Sequence, residues 1–202
     1  MKIICIGRNY VDHIDELKND MPKNPIIFFK PSICKLEGSN FEMPNFSSDV
    51  HHEIEIIYKI SKSGKNIPMS DSINFISGVG LGIDFTARDI QLEFKDKGLP
   101  WSISKSFDNS AAISEFKSLN NFTDIENIKF SLNKNSKEVQ SGNSKLMIFN
   151  IKFLIHYISQ FISLEKNDII FSGTPKGVNQ IKRGDKLEGF IENEKILNIN
   201  II

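Results

Sequence analysis

A strand-rich α+β fold is what the 202-residue sequence predicts, on three observations. Short apolar runs closed by Gly, Pro or Asn outnumber helical patterns. Only two long segments carry helical spacing, and strands and helices do not alternate as a doubly wound parallel sheet requires. The composition, 40% hydrophobic and 25% charged, is that of a globular chain long enough to bury one substantial core. One domain spanning residues 1–202 is expected.

The elements follow in order. Residues 2–6 read as a buried strand that breaks at Gly7. Residues 9–23 are polar, with a short helical turn over residues 12–17, and the sequence leaves open whether they close as a lid. A second apolar strand, residues 26–29, stops at Lys30-Pro31. Residues 53–60 form the next strand, and residues 76–85 another, interrupted by Gly78, Gly80 and Gly82. Thr86 is expected to cap a helix, with Asp89 as acidic partner and Gly98 as the left-handed stop. Around Lys105 there is little helical or strand pattern, and the sole tryptophan, Trp101, is read as core. Residues 128–132 and 137–140 make a hairpin across Lys134-Asn135-Ser136. A second helix starts at Asn150, with Phe149 and Leu154 as a hydrophobic staple. Its expected core face is Leu154, Ile155, Ile158, Phe161 and Ile162. Strands at 168–171, 187–191 and 196–202 complete the chain.

Charge excludes several functions. Lys+Arg and Asp+Glu both number 25, so the formal net charge is zero, and neither nucleic acid nor a membrane surface is expected as partner. The apolar run at the start is too short for a signal peptide, and nothing approaches the ~18 apolar residues of a membrane span. Cys5 and Cys34 fit neither a disulfide framework nor a zinc spacing, so a reducing cytoplasm is the expected location.

The most informative run is His51-His52-Glu53-Ile54-Glu55-Ile56-Ile57-Tyr58. On a strand, Glu53 and Glu55 leave one face while Ile54, Ile56 and Tyr58 leave the other. Two like charges that close need water or a cation between them. The carboxylate face continues into Ile57, which is apolar, and Asp84 ends another apolar strand where a solvated aspartate is out of place. Three carboxylates with no cysteine nearby suit Mg²⁺ or Mn²⁺, with Ca²⁺ as an alternative, and leave positions open for a chelating ligand. His52 falls on the opposite face, and His51 is a weak fourth candidate. Arg88 and Gln91 lie three apart on one helical face.

At this point the chain resembles the fumarylacetoacetate hydrolase family, especially its short acylpyruvate hydrolase and oxaloacetate-handling branch. The resemblance is carried by Ile6-Gly7-Arg8-Asn9-Tyr10 with Asp12-His13, by Phe29-Lys30-Pro31, and by His52-Glu53-Ile54-Glu55. It continues through residues 84–91, through Lys97-Gly98-Leu99-Pro100-Trp101 with Lys105-Ser106-Phe107, through Met147-Ile148-Phe149, and through residues 172–178. It implies a mixed β-sandwich roll, a homodimer, and Mg²⁺ or Mn²⁺ held by Glu53, Glu55 and Asp84. The implied substrate is a small anionic 2-oxo acid, chelated so that the cation stabilises an enolate.

Hydrolysis of a C–C bond in an acylpyruvate-type 1,3-diketo acid is the leading activity on this reading. Tautomerisation or decarboxylation of oxaloacetate, or isomerisation of a 2-hydroxy-diene-dioate, is the alternative, and a non-catalytic metal-binding protein is the remote one. His13 and Glu16, three apart, would activate water. The resemblance puts Lys105 in the site, with Arg88, Gln91, Thr174, Arg8 and Tyr10 binding substrate. The chain departs from the family at Val139, where many members carry Arg, at the Lys134-Asn135-Ser136 turn, and after Asp108, where Cys-Pro is missing. These positions bear on which substrate is taken.

Overall fold

The computed structural model describes residues 1–16 and 20–202. Leu17, at the end of the expected helical turn, lies outside the described residues, as do two further positions of the polar 9–23 segment.

Among the described residues, three sheets build the fold. In the largest, β1 (Ile3–Gly7) pairs antiparallel with β2 (Ile26–Lys30) and parallel with β11 (Ile169–Phe171). Beyond β11 come β5 (Ile54–Ile60), β6 (Ile76–Asp84) and β8 (Ala111–Ile113), all antiparallel. The second sheet runs β10 (Lys137–Asn143), β9 (Lys129–Lys134), β13 (Lys186–Ile191), β14 (Glu194–Ile201), β3 (Asn40–Phe41). A small third sheet joins β12 (Asn179–Gln180), β4 (Val50–His52) and β7 (Thr86–Ala87). The fold is α+β and strand-rich, as expected.

Strand alternation decides where the core sits. Ile54, Ile56, Tyr58 and Ile60 of β5 join Phe130, Leu132, Leu187 and Ile199 of the second sheet in one buried cluster. Ile57, from the other face of β5, packs with Ile3, Cys5 and Phe171 in a separate cluster. The helix α4 (Ile151–Phe161) closes the main core with Leu154, Ile155 and Ile158, each fully buried and worth roughly 1.5–3 kcal/mol. Asn150 caps it as expected, its side chain accepting from the Phe153 N–H. Phe161 departs from expectation. It stands 60% exposed at the end of the helix, its ring tilted against Tyr157, which in turn stacks in series with Phe153 and Phe149. The hairpin turn is as expected, with Asn135 and Ser136 both at positive φ.

Three further expectations need correction. Thr86 does not cap α2 (Arg88–Asp96): it lies in β7, and its hydroxyl donates to the Asp84 carbonyl. Asp89 turns away to accept from Ser47 and Ser48. Residues 102–105 form a short helix, α3 (Ser102–Lys105), too brief to leave a periodic signal. Helix α1 (Val11–Glu16) carries the turn expected near His13. Among the described residues, no helix is long and apolar enough to cross a membrane.

Candidate active site

The register of β5 on β6 sets the site. Ile54 faces Ile83 and Glu55 faces Gly82, so Glu53, at the break between β4 and β5, meets Asp84, whose N–H donates to its carbonyl at 2.9 Å. Glu53, Glu55 and Asp84 are 4%, 2% and 1% exposed, and each offers an oxygen within 4.8 Å of the others. At that separation two unit charges repel by roughly 3 kcal/mol for an effective dielectric near 20, so three carboxylates cannot sit there uncompensated.

Part of the compensation is built in. The Lys105 ammonium, at the end of α3, donates to Glu53 Oε2, Asp84 Oδ2 and Thr86 Oγ1, each at 2.7 Å. Arg88 donates one guanidinium nitrogen to Glu53 Oε1 and another to Gln91 Oε1. Burial pushes the Glu53 carboxyl up, but Lys105 and Arg88 outweigh it and hold it well below the usual range. Burial opposes the charge on Lys105 as well, yet Asp84 and Glu53 raise its pKa, so it stays an ammonium. Glu55 is different. Burial, reinforced by neighbouring Asp84, pushes its carboxyl well above the normal range, against a single 2.7 Å hydrogen bond from the Gly173 N–H. Gly173 adopts φ +101, and a Cβ there would lie 2.7 Å from Asn9 Cβ, so that donor requires glycine.

A divalent cation fits this donor set. All three donors are hard carboxylate oxygens, they converge, and such an ion would favour the ionised form of Glu55 that burial and Asp84 disfavour. Neither histidine of the run joins them. His51 is held by Asp49 at 2.9 Å, and His52 is buried against Gln140 at 2.8 Å.

The other expected residues fall into two groups. His13, Arg8, Arg88, Gln91, Lys105 and Thr174 line the cavity beside the three carboxylates. His13 Nδ1 lies 3.1 Å from Glu16 Oε2, and the second Glu16 oxygen accepts from the Gly177 N–H at 2.9 Å. Burial lowers the His13 pKa against the pull of Glu53 and Glu16, so its imidazole is neutral at pH 7. Thr174 lines the cavity with its hydroxyl already engaged, donating to the Ile54 carbonyl at 2.8 Å and accepting from Gln140 at 2.9 Å. Tyr10 is not brought to the cavity. It is buried with its ring edge-on to Phe130, where burial pushes its phenol pKa well up.

Three residues of the site escaped the sequence. Lys30 is fully buried, 2.8 Å from Asp84 Oδ1, and donates to Ser110 Oγ, the Ser110 carbonyl and the Lys105 carbonyl. It fixes both Asp84 and the segment that carries Lys105. Trp101, read as core, instead lines the cavity, edge-on to Phe28. Lys95 lines it too, and here a signal existed, because Arg88, Gln91 and Lys95 are spaced i, i+3, i+7 on one face of α2.

With this geometry in view, the comparisons are consistent. Residues 2–199 match the fumarylacetoacetate (FAA) hydrolase C-terminal family. A mitochondrial oxaloacetate tautomerase of Mus musculus is 40% identical over 191 residues, covering 94% of this chain and 86% of the relative. A mitochondrial oxaloacetate decarboxylase of Dictyostelium discoideum is 39% identical over 189 residues, covering 93% and 87%. The crystal structure of a fumarylpyruvate hydrolase from Pseudomonas aeruginosa, in complex with Mn²⁺ and pyruvate, superposes with a TM-score of 0.94 at 28% identity. That match spans all of this chain and 89% of the hydrolase. A matched family over nearly the whole length and relatives near 40% identity leave one conclusion: the chain belongs to the fumarylacetoacetate hydrolase family.

Proposed function

We propose that the chain interconverts the enol and keto forms of oxaloacetate or a closely related 2-oxo diacid, with Mg²⁺ or Mn²⁺ held by Glu53, Glu55 and Asp84. The observation that carries this reading is the convergence of three buried carboxylates with the Lys105 ammonium in one cavity walled by Arg8, Arg88 and Lys95. The oxaloacetate tautomerase and decarboxylase relatives support the choice of substrate. A bound divalent cation would act as a Lewis acid, polarising the 2-oxo group and stabilising enolate charge. Lys105, fixed as an ammonium, adds a second positive centre that needs no reorganisation during the reaction. Gln91 spends its carbonyl on Arg88, which leaves its two N–H donors for a substrate carboxylate. His13, neutral and oriented by Glu16, is the residue able to carry a proton between the enol oxygen and C3.

A second reading, hydrolysis of an acylpyruvate, is favoured specifically by the His13–Glu16 pair and by likeness to the fumarylpyruvate hydrolase structure. The test is a panel of enol-oxaloacetate, oxaloacetate, acetylpyruvate and fumarylpyruvate with Mg²⁺ and with Mn²⁺. Ketonisation of enol-oxaloacetate, followed by loss of its ultraviolet absorbance, is expected to be fastest. Faster cleavage of either acylpyruvate would overturn the assignment. His13→Ala should slow both ketonisation of enol-oxaloacetate and hydrolysis of an acylpyruvate by about 100-fold or more, because each loses its proton carrier, whereas release of CO₂ from oxaloacetate needs no water nucleophile.

Where the chain works in the cell is part of the same proposal. We read its two buried free cysteines as fitting a reducing compartment, while the animal relatives are named as mitochondrial.

A further inference from the structure

Two further cations line the cavity beside those that pair with the carboxylates. Lys105, Arg88 and Lys30 already face Glu53 and Asp84. Arg8 and Lys95 come in addition, both lining the same cavity from different elements.

Each is positioned with some care. Arg8 follows β1 at φ +57, a left-handed conformation that costs a non-glycine residue about 1–2 kcal/mol. Its neighbours hold it there. The buried Asn9 side chain donates to the Phe149 and Ser172 carbonyls at 3.0 and 2.8 Å and accepts from the Phe149 N–H at 2.8 Å. On the other side, Gly7 has no Cβ, and one built there would lie 3.1 Å from the Trp101 ring. The indole therefore packs flush beneath the turn, and the Arg8 guanidinium sits over it, 5.9 Å from the ring centroid. Lys95 approaches from α2, one turn beyond Gln91 on the face that carries Arg88. Burial lowers its pKa, and the positive charge of Arg8 lowers it further.

Arg8 and Lys95 line the same cavity as the three carboxylates, and Lys95 stands one helical turn beyond Gln91. A ligand whose 2-oxo acid head reaches the carboxylates can extend its tail along α2 towards Arg8 and Lys95.

We infer that Arg8 and Lys95 form a distal anion subsite, which binds the second carboxylate of a 2-oxo diacid and makes the cavity select dianions over mono-acids of the same length. The inference rests on the 2-oxo acid reading above and adds the residues that recognise the far end of the substrate. Arg88 and Gln91 keep the near end, and Trp101 is the platform that holds Arg8 in place.

The test uses the full chain loaded with Mn²⁺ and three unreactive ligands followed by calorimetry. Oxalate reaches only the inner site. N-ethyloxamate and N-oxalylglycine differ only in a methyl group where the second has a distal carboxylate. The wild type is expected to bind N-oxalylglycine about tenfold more tightly than N-ethyloxamate. Lys95→Met and Arg8→Met should each cut that preference to about threefold or less while leaving oxalate affinity within about twofold, and Lys95→Arg should restore it. Oxalate binding in the same sample reports that the variant is folded. A preference that survives both substitutions, or a loss spread equally over all three ligands, would overturn the subsite. The two proposals fail separately. Turnover of enol-oxaloacetate without a preference for the diacid removes the subsite alone, whereas a diacid preference without turnover removes the tautomerase reading alone.

Discussion

Two buried polar clusters flank the junction of β4 and β5, and they solve the problem of burial in opposite ways. On one side His52 meets Gln140, whose side chain has all its capacity filled. Its Oε1 accepts from the Ile54 N–H at 3.1 Å and faces His52 Nδ1 at 2.8 Å, and its Nε2 donates to Thr174 Oγ1 and the Pro175 carbonyl, both at 2.9 Å. That cluster is neutral: burial lowers the His52 pKa to about 4. On the other side, one residue along the chain, Glu53 joins Glu55 and Asp84 among Lys30, Lys105 and Arg88. The neutral cluster closes around Gln140, with His52 Nε2 left without a hydrogen-bond partner, and reaches the cavity only through Thr174. The ionic cluster opens onto a cavity and leaves Glu55 with its carboxyl pushed far up. A satisfied network stabilises a fold, whereas one with displaced ionisation is shaped for something that has yet to bind.

The sharpest way to break this contrast is Glu55→Gln. The change is nearly isosteric and removes the ionised form that the protein alone disfavours. Activity should fall by about 10³-fold or more, since one of three cation ligands is gone. Melting temperature without metal should stay level or rise. The stabilisation of the wild type by saturating Mg²⁺, about 2.7 kcal/mol at 100 times Kd, should vanish. A Glu55→Gln protein that is destabilised yet still stabilised by Mg²⁺ would put the carboxylates in the same class as the Gln140 cluster.

How much of the two clusters could be read from the sequence follows from what kind of signal each residue leaves. Strand alternation separates Glu55 and Ile57 from Ile54, Ile56 and Tyr58, and the structure sorts them in that way. Asp84 stood out because an aspartate ending an apolar strand is a local contradiction. Lys30 left no such mark, because a lysine beside a proline reads as the solvated end of a strand, and lysines are rarely buried without a long-range partner. Its partners Asp84 and Ser110 lie 54 and 80 residues away, beyond any local pattern. The Thr86 cap failed for a related reason. Its hydroxyl serves both the Asp84 carbonyl and Lys105, and that tertiary demand outweighs a cap worth about 1 kcal/mol. Arg88 and Gln91 were legible from their spacing, and Lys95 would have been legible by extending the same face one turn.

Gln140→Leu tests the neutral cluster. It strands the Ile54 N–H, His52 Nδ1 and the Pro175 carbonyl in a buried place, so stability should drop by about 3 kcal/mol. The response to Mg²⁺ should persist, because no carboxylate of the other cluster touches Gln140. Denaturant unfolding with and without Mg²⁺ measures both quantities. Loss of the Mg²⁺ response with little loss of stability would reverse the roles assigned to the two sides.

Thr174 lies on the boundary and gives the finest distinction. The family resemblance implied a substrate-binding role for it, and it does line the cavity. Yet its one hydroxyl hydrogen goes to the Ile54 carbonyl and one lone pair takes the Gln140 amide, so the hydroxyl belongs to the neutral cluster. Thr174→Ser keeps both bonds and should behave as wild type in stability. Thr174→Val removes both while preserving shape, and should cost about 1–2 kcal/mol in unfolding free energy. If the hydroxyl contacted substrate instead, the valine variant would raise KM or lower kcat by about tenfold or more at nearly unchanged stability. Unfolding and kinetics of the same two variants therefore decide to which cluster this residue belongs. The present hydrogen bonds predict a loss of stability with KM and kcat changed by about threefold or less.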